Sequence, residues 1–401
     1  MEISQLKIQK KQSLKDALIA LDANGLGTLF VLDDSNKLVG VITDGDIRRF
    51  LLKNNDLEHP VHEAMNTSFV FLSVNADNAS ILGKISKKIK LIPLVDDQDN
   101  LVDYASLERL HNIPISSPLL AGNELKYITE CIKTNWISSQ GKFVKTFEQM
   151  FEAYHEDFSA IAVSNGTVAL HLALEALGIG VGDEVIVPDL TFAASVNAVL
   201  YAGATPVLAT IDKTTWNIDV AHVEKLIGPK TKAIMPVHLY GLPCDMNAIV
   251  ALAKKHELLI VEDCAEALGS RYDDRPVGVF GDAATFSFFG NKTITTGEGG
   301  MIVFRDKKVA ERAAVLRDHG MSKTRRYWHD EVGFNYRLTN MQAAIGVAQF
   351  ERLDEFVERK RKNAAIYNSY LDKIPFFQTP AVLEDRINSF WLYTFMVSEE
   401  A

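Results

Sequence analysis

The sequence Ala-Ala-Thr-Phe-Ser-Phe-Phe-Gly-Asn-Lys occupies residues 283–292, and Thr-Ile-Thr-Thr-Gly-Glu-Gly-Gly follows it at residues 293–300. Lys292 therefore stands between an apolar, aromatic run and a glycine-rich loop. Most lone lysines are solvated surface groups, but the residues before this one have the pattern of a buried strand. Because burying a charged amine is costly, either its pKa falls or the amine is used in chemistry. We therefore predict that Lys292 is a nucleophilic amine in the interior of the protein.

The composition is that of an ordinary globular protein. The chain has 401 residues, 47% of them hydrophobic and 23% charged, which allows about two or three domains. A net charge of -10 argues against a general nucleic-acid partner. Cys131, Cys244 and Cys264 show neither metal-ligand nor disulfide spacing, so we expect no metal site and a reducing, cytoplasmic location. The N-terminus lacks the apolar core of a signal peptide, and we expect no membrane span.

Residues 1–112 contain an internal repeat. Two strand-like runs, Leu29–Asp34 and Leu38–Thr43, precede a helix that opens with acidic residues, and the pattern recurs around Asp96–Asp97. The stretch Gly40–Asp46 is similar to that of tandem CBS-domain pairs, small α+β modules that often bind adenosine nucleotides. This resemblance implies that Thr43 and Asp46 contact the ribose and phosphate of a nucleotide.

The second copy departs from the CBS pattern. Asp103 stands where the first copy has Gly40, and Arg109 stands where it has Asp46. We therefore expect at most one ordinary nucleotide site in residues 1–112. The alternative is a dimerisation or spacer unit that binds no ligand.

From residue 113 to residue 401, unbroken apolar strands alternate with amphipathic helices. This pattern predicts an α/β domain with a mainly parallel sheet covered on both faces. In such sheets, ligands bind at the carboxyl ends of the strands. Several polar and aromatic residues follow predicted strands, and we expect them to join Lys292 at this edge.

Two of these features suit the phosphate and the ring of a cofactor. Gly166 and Thr167 open a helix directly after a strand, where backbone N–H groups and a hydroxyl can bind phosphate; the alternative is a plain strand-to-helix turn. Phe192 follows another strand, where it either stacks on a ring or packs in the core.

Two more candidates lie near Lys292. Asp263 ends a buried strand and needs a cationic partner, which the protonated ring nitrogen of pyridoxal phosphate (PLP) supplies. Asp263 and Glu266 also fit a helix capping box. Ser287 lies five positions before Lys292 and can reach a phosphate held near the lysine; the alternative is a solvated or capping hydroxyl. An anion site, an aromatic residue, a carboxylate and a lysine on one edge are what PLP requires.

From about residue 113, the chain resembles the DegT family of PLP-dependent nucleotide-sugar aminotransferases. Gly182–Pro188, Val261–Gly269, Ser287–Lys292 and Thr296–Gly300 carry the resemblance, and Arg317–Met321 is similar to the perosamine synthase subgroup. It implies the aspartate-aminotransferase fold (PLP fold type I). Because family members continue well beyond the last residues of this chain, we expect a truncated C-terminal small domain.

The resemblance also implies a role for each site residue. Lys292 would be linked to the cofactor and move protons, and Asp263 would pair with the ring nitrogen. Glu266 stands where the family often has a Gln that contacts the ring hydroxyl. Gly166, Thr167 and Ser287 would bind the phosphate, and Phe192 would stack on the ring. Asn335 would reach the phosphate of the other subunit's cofactor in a homodimer.

The resemblance implies amino transfer from an amino acid, L-glutamate, to a 4-keto-6-deoxy nucleotide sugar for surface polysaccharide such as lipopolysaccharide O-antigen. A related dehydratase branch has His in place of the lysine, so Lys292 favours transamination. Two alternatives remain. One is a catalytically impaired protein whose CBS pair senses nucleotide, and the other is a PLP aminotransferase that acts on a 3-keto sugar or a non-sugar ketone.

Overall fold

Residues 3–86, 88–110, 115–325 and 327–398 are described in the computed structural model. The chain divides into two compact units, Met1–Pro114 and Ile115–Ala401. The boundary that the sequence predicts, between residues 112 and 113, lies outside the described residues.

The N-terminal unit contains two halves with the same order of elements. The first half comprises β1 (Lys7–Gln9), α1 (Leu14–Asn24), β2 (Thr28–Leu32), β3 (Leu38–Thr43) and α2 (Asp44–Asn54). The second comprises β4 (Leu72–Ser73), α3 (Asn78–Leu82), β5 (Leu91–Val95), β6 (Leu101–Ser106) and α4 (Leu107–Leu110). In each half, the first strand is parallel to the second, and the third is antiparallel to the second. Apolar residues of both halves share a core cluster that includes Phe30 and Leu91.

The second unit contains a seven-stranded sheet and the helices around it. Its first part comprises α5 (Glu124–Lys133), α6 (Lys142–Tyr154), β7 (Ser159–Val163), α7 (Gly166–Ala176), β8 (Glu184–Pro188), α8 (Ala193–Tyr201), β9 (Thr205–Ala209), α9 (Val220–Leu226) and β10 (Thr231–Ile234). Next come α10 (Met246–His256), β11 (Leu259–Asp263), β12 (Arg271–Tyr272), β13 (Arg275–Pro276), β14 (Ala283–Ser287), β15 (Gly300–Phe304), α11 (Lys307–Arg317) and α12 (Asn340–Phe350). Last are α13 (Leu353–Leu371), β16 (Phe377–Gln378), β17 (Arg386–Ile387) and β18 (Met396–Val397).

The strand order in the large sheet is β7-β15-β14-β11-β10-β8-β9. β15 is antiparallel to both of its neighbours, while the other pairings are parallel. Along β7, Ala160 and Ala162 belong to one core cluster, and Ile161 and Val163 belong to another. Because successive side chains of a strand point to opposite faces, both faces of the sheet are buried. The predicted α/β fold with a mainly parallel sheet is confirmed.

The topology brings the carboxyl ends of four parallel strands to one edge. β7, β8, β11 and β14 all end there, and the segments that follow them carry the predicted site residues. None of the described helices combines the length and the apolar character needed to span a bilayer.

Candidate active site

The strand ends surround a cavity of about 530 Å³ in the second unit. Seven residues singled out in the sequence line it: Gly166, Thr167, Phe192, Asp263, Glu266, Ser287 and Lys292. The parallel sheet thus brings together side chains from four separate parts of the chain. Asn335, the remaining candidate, is exposed and lies outside the lining of this cavity.

Asp263 ends β11 and is almost completely buried. Its Oδ2 accepts a hydrogen bond from Ser195 Oγ at 2.8 Å, and its Oδ1 accepts one from the backbone N–H of Ala265 at 3.1 Å. Burial raises the pKa of the Asp263 carboxyl group, while these hydrogen bonds and the nearby Lys292 oppose the rise. A carboxylate has about four acceptor positions, so capacity remains for a proton-bearing group in the cavity.

The predicted capping box at Asp263 and Glu266 is wrong. The residues after Asp263 form a turn rather than a helix. Glu266 does not reach back to Asp263; its Oε2 accepts a hydrogen bond from the backbone N–H of Tyr240 at 2.9 Å. Burial raises the pKa of Glu266, while Lys292 lowers it. The competing contact with the segment around Tyr240 therefore decides where this carboxylate points.

Lys292 lies between an acidic and an aromatic group. Its Nζ is 3.8 Å from Glu266 Oε1 and 3.7 Å from the centre of the Trp391 ring. Burial lowers the pKa of the Lys292 ammonium, and the carboxylates of Glu266 and Asp263 act in the opposite direction. A lowered pKa increases the fraction of neutral amine, which is the form that attacks a carbonyl.

Gly166 and Ser287 meet where α7 begins and β14 ends. A Cβ at position 166 would lie 2.8 Å from Ser287 Cβ, closer than real Cβ contacts. Asn165 caps α7 by accepting the N–H of Val168, so the side chain leaves the first backbone N–H groups of the helix to other partners. Together with the hydroxyls of Thr167 and Ser287, this start of a helix suits a phosphate.

Phe192 and Asn335 occupy exposed positions. Phe192 precedes α8 at the rim of the cavity and is 72% exposed, so it does not pack in the core. The Oδ1 of Asn335 accepts a hydrogen bond from Arg337 Nε at 3.2 Å, and its backbone pairs with Asp318.

The sequence patterns did not reveal three residues of this site. Ser195 holds Asp263, Tyr240 holds Glu266 through its backbone, and Trp391 covers Lys292 while its Nε1–H donates to Asn291 O at 2.8 Å. Ser195 follows the cavity residue Thr191 by one helical turn, a spacing that offered a signal. Trp391 carried no local signal, because its contact with Lys292 depends on tertiary structure.

The residues around this cavity fit PLP. The aldehyde of the cofactor needs a buried amine, its ring nitrogen an anion, and its phosphate an N–H-rich cradle. Lys292, Asp263 and the segment around Gly166 offer these three groups within one cavity. The close approach at Gly166 leaves no space for a side chain there, as expected where backbone binds an anion.

A second cluster of buried polar side chains includes the two residues that flank Asp263 in the sequence. Ligand-type atoms of His238, Glu262 and Cys264 lie within 4.8 Å of one another. However, the Glu262 carboxylate accepts hydrogen bonds from the backbone N–H groups of Gly278 and Gly281 at 2.9 and 2.7 Å, and His238 Nε2 lies 3.1 Å from it. These bonds make Glu262 an anchor for the segment that leads into β14.

Thr43 and Asp46 in the N-terminal unit form the capping box of α2. Thr43 Oγ1 donates to Asp46 Oδ2 at 2.6 Å, and Arg49 donates to Asp46 Oδ1 at 2.6 Å. In the second half, Arg109 pairs with Asp103 at 2.5 Å. The carboxylate of Asp46 therefore already has hydrogen-bond partners within its own helix, as a capping box requires.

Comparisons with known proteins match both units. The profile described as the DegT/DnrJ/EryC1/StrS aminotransferase family matches residues 118–401, and the CBS-domain profile matches residues 4–53. GDP-perosamine synthase of Escherichia coli O157:H7 is 51% identical over 284 residues, which cover 71% of this chain and 78% of that protein. GDP-perosamine synthase of Caulobacter vibrioides is 52% identical over 291 residues, which cover 72% and 78%.

Solved structures show the same fold. DesV of S. venezuelae, in complex with a ketimine intermediate, has a TM-score of 0.67 and 40% identity, covering 69% of this chain and 74% of that one. The putative sugar aminotransferase Spr1654 of Streptococcus pneumoniae, in its PMP form, has a TM-score of 0.68 and 30% identity, covering 72% and 78%. The fold predicted from the sequence, PLP fold type I, is therefore confirmed.

Proposed function

We propose a substrate for this chain from the premise that it belongs to the DegT/DnrJ/EryC1/StrS aminotransferase family and is a PLP-dependent aminotransferase. In our proposal, the amino group of L-glutamate is transferred to carbon 4 of a GDP-linked 4-keto-6-deoxy sugar. The observation that supports it is that Lys292 and Asp263 line the same cavity. The chain that carries them is 51% identical to a GDP-perosamine synthase over 284 residues.

Each residue of the cavity has a role in this proposal. When bound, PLP supplies an electron sink for the reacting carbon. Lys292 Nζ holds the cofactor and moves the proton at the substrate carbon, while Asp263 holds the proton of the ring nitrogen. Glu266 contacts the ring hydroxyl and Phe192 stacks on the ring. The phosphate is bound by Gly166, Thr167 and Ser287.

The assembly and cellular setting are part of the same proposal. A homodimer would bring Asn335 of one copy to the cofactor phosphate of the other, and the exposure of Asn335 leaves its side chain accessible for this. Residues 113–401 would form the catalytic domain, acting in the cytoplasm. The product would enter surface polysaccharide such as lipopolysaccharide O-antigen.

Product analysis tests the substrate. The purified protein is incubated with PLP, L-glutamate and a panel of GDP- and UDP-linked 4-keto and 3-keto sugars, and products are identified by mass spectrometry. We expect an amino sugar from the GDP-linked 4-keto-6-deoxy sugar alone. Lys292→Ala is the control and should yield no product and no visible absorption band with PLP. Amination of a 3-keto sugar instead would overturn the proposed substrate.

A second function is proposed for residues 1–112, which carry a CBS-domain match over residues 4–53. The first half would bind an adenosine nucleotide through Thr43 and Asp46. The second half carries the Arg109–Asp103 ion pair at the corresponding position. Nucleotide binding without transamination would instead favour a nucleotide sensor whose catalytic unit is impaired.

A further inference from the structure

Ser195 lies in the first turn of α8 and is completely buried. Its hydroxyl donates to Asp263 Oδ2 at 2.8 Å. A buried hydroxyl without a partner is costly, and a hydrogen bond to a carboxylate is stronger than one between neutral groups. The short distance and complete burial therefore make this bond a fixed part of the site.

Thr191 extends this contact to the cavity. Its Oγ1 lies 2.8 Å from Ser195 Oγ, and Thr191 itself lines the cavity. A serine hydroxyl has one proton, and that of Ser195 is donated to Asp263. Thr191 must therefore be the donor to Ser195. The two hydroxyls form a directed chain that ends on the carboxylate, and such chains strengthen each of their bonds.

We propose that Thr191 and Ser195 are positioning residues that fix the orientation and charge of the Asp263 carboxylate toward the cofactor ring. This inference rests on the proposed role of Asp263 as the partner of the ring nitrogen. Ser195 and the N–H of Ala265 each hold one carboxylate oxygen, so the group cannot rotate about its last bond without breaking both. The acceptor positions that remain free on the two Asp263 oxygens therefore point in a fixed direction.

The chain of hydroxyls also opposes the effect of burial on Asp263. Burial raises the pKa of this carboxyl group, and Ser195 and Ala265 counteract the rise. The other charged or titratable groups that interact with it are Lys292, His238, Glu266 and Cys264. Because none of these is altered by a substitution at Ser195 or Thr191, a change in the cofactor's behaviour can be attributed to the hydroxyls.

The test measures cofactor properties in Ser195→Ala. Without the donor, the carboxylate shares the ring proton more strongly, and the ring carries less positive charge. The visible absorption of bound PLP should then titrate about one pH unit higher, and apo protein should bind PLP about tenfold more weakly. Thr191→Val, which removes only the outer hydroxyl, should shift both in the same direction by a smaller factor, and Thr191→Ser should restore them.

Ser270→Ala is the matched control, because Ser270 is also completely buried and donates to Gly241 O at 2.6 Å. It should leave unchanged the pH midpoint at which the visible absorption of bound PLP titrates, even if it lowers the unfolding temperature. The same midpoint in Ser195→Ala, Thr191→Val and wild type overturns the inference. If Ser195→Ala does not fold, the Thr191 variants decide.

Asp263→Asn separates this inference from the proposed function. It should displace the midpoint further than Ser195→Ala does. If Asp263→Asn leaves the midpoint unchanged, the proposed role of Asp263 fails, and the inference fails with it. If Asp263→Asn shifts the midpoint but the hydroxyl variants do not, only the inference is overturned.

Discussion

The Lys292 ammonium lies 3.7 Å from the centre of the Trp391 indole ring, although the two residues are far apart in the sequence. Trp391 Nε1–H also donates to the carbonyl of Asn291, the residue before the lysine. The indole thus covers the amine and is attached to its backbone. Because the ring is buried, it excludes water from the side of Lys292 that it faces.

Trp391→Ala should slow the capture of PLP by Lys292. Burial is the largest cause of the lowered pKa of this lysine, so admitting water should raise the pKa toward its ordinary value. Less neutral amine is then present near pH 7, and we expect the capture rate to fall by about tenfold. The measurement is the pH dependence of the rate at which apo protein develops visible absorption with PLP.

The exposed Trp328 provides the control for this experiment. Trp328→Ala should leave the rate profile unchanged. Trp391→Phe keeps an aromatic face but loses the bond to Asn291, so it should fall between Trp391→Ala and wild type. A Trp391→Ala profile that coincides with wild type would contradict the account of the lysine.

Gly166→Ala should weaken PLP binding and reduce stability. The added Cβ would meet Ser287 Cβ at 2.8 Å, and separating α7 from β14 would enlarge the proposed phosphate site. We expect a loss of about 1–3 kcal/mol in the free energy of unfolding and PLP binding weaker by roughly tenfold. Urea unfolding and fluorescence titration with PLP measure the two effects.

Gly228→Ala is the matched substitution, because a Cβ there meets nothing within 4 Å. It should leave PLP affinity unchanged. Equal PLP affinity in Gly166→Ala and Gly228→Ala would rule out a tight phosphate cradle at the start of α7.

His155 should make the protein less stable in mild acid. The ring is completely buried, its Nδ1 lies 2.9 Å from Phe151 O, and burial lowers its pKa to about 4. The unfolded chain takes up this proton near pH 6.5, but the folded chain does not until about pH 4. The contribution is therefore complete above about pH 6.5 and is lost as the pH falls toward 4, by up to about 3 kcal/mol.

Urea unfolding between pH 4 and 7.5, about the range of the titration, measures this effect. His155→Phe removes the proton site, so the difference in stability between wild type and variant should shift in favour of the variant as the pH falls. Phe304→Leu, which also alters a completely buried ring but removes no titratable group, should show no such trend. A pH-independent difference for His155→Phe would contradict the lowered pKa, because it would mean that the ring takes up its proton over the same pH range in the folded and the unfolded chain.

Asp46→Ala should abolish the binding of AMP, ADP or ATP by the N-terminal unit. The substitution also removes the capping box of α2, which costs about 1 kcal/mol. Asp16→Ala removes the equivalent capping box of α1 and is the matched control. Calorimetry should show binding in wild type and Asp16→Ala but not in Asp46→Ala. Equal binding in all three would place any nucleotide elsewhere.

The sequence could predict the residues that follow strands, because parallel strands place their carboxyl ends at one edge. Gly166, Phe192 and Asp263 follow predicted strands, and all three line one cavity with Lys292. Residues whose role depends on contacts between distant segments could not be found, and Trp391 is the clearest case. The capping box at Asp263 was wrong because a tertiary partner, the N–H of Tyr240, binds the Glu266 carboxylate instead.

Adjacent carboxylates on β11 perform opposite tasks, since Asp263 faces the cavity while Glu262 is bound to the segment before β14. In a strand, a shift of register by one residue exchanges the two faces. Such a slip would turn Glu262 toward the cavity. It would turn Asp263, whose side chain is shorter, toward the backbone N–H groups that Glu262 now binds. Correct alignment of this strand is therefore a condition that folding must meet before the protein can acquire its cofactor.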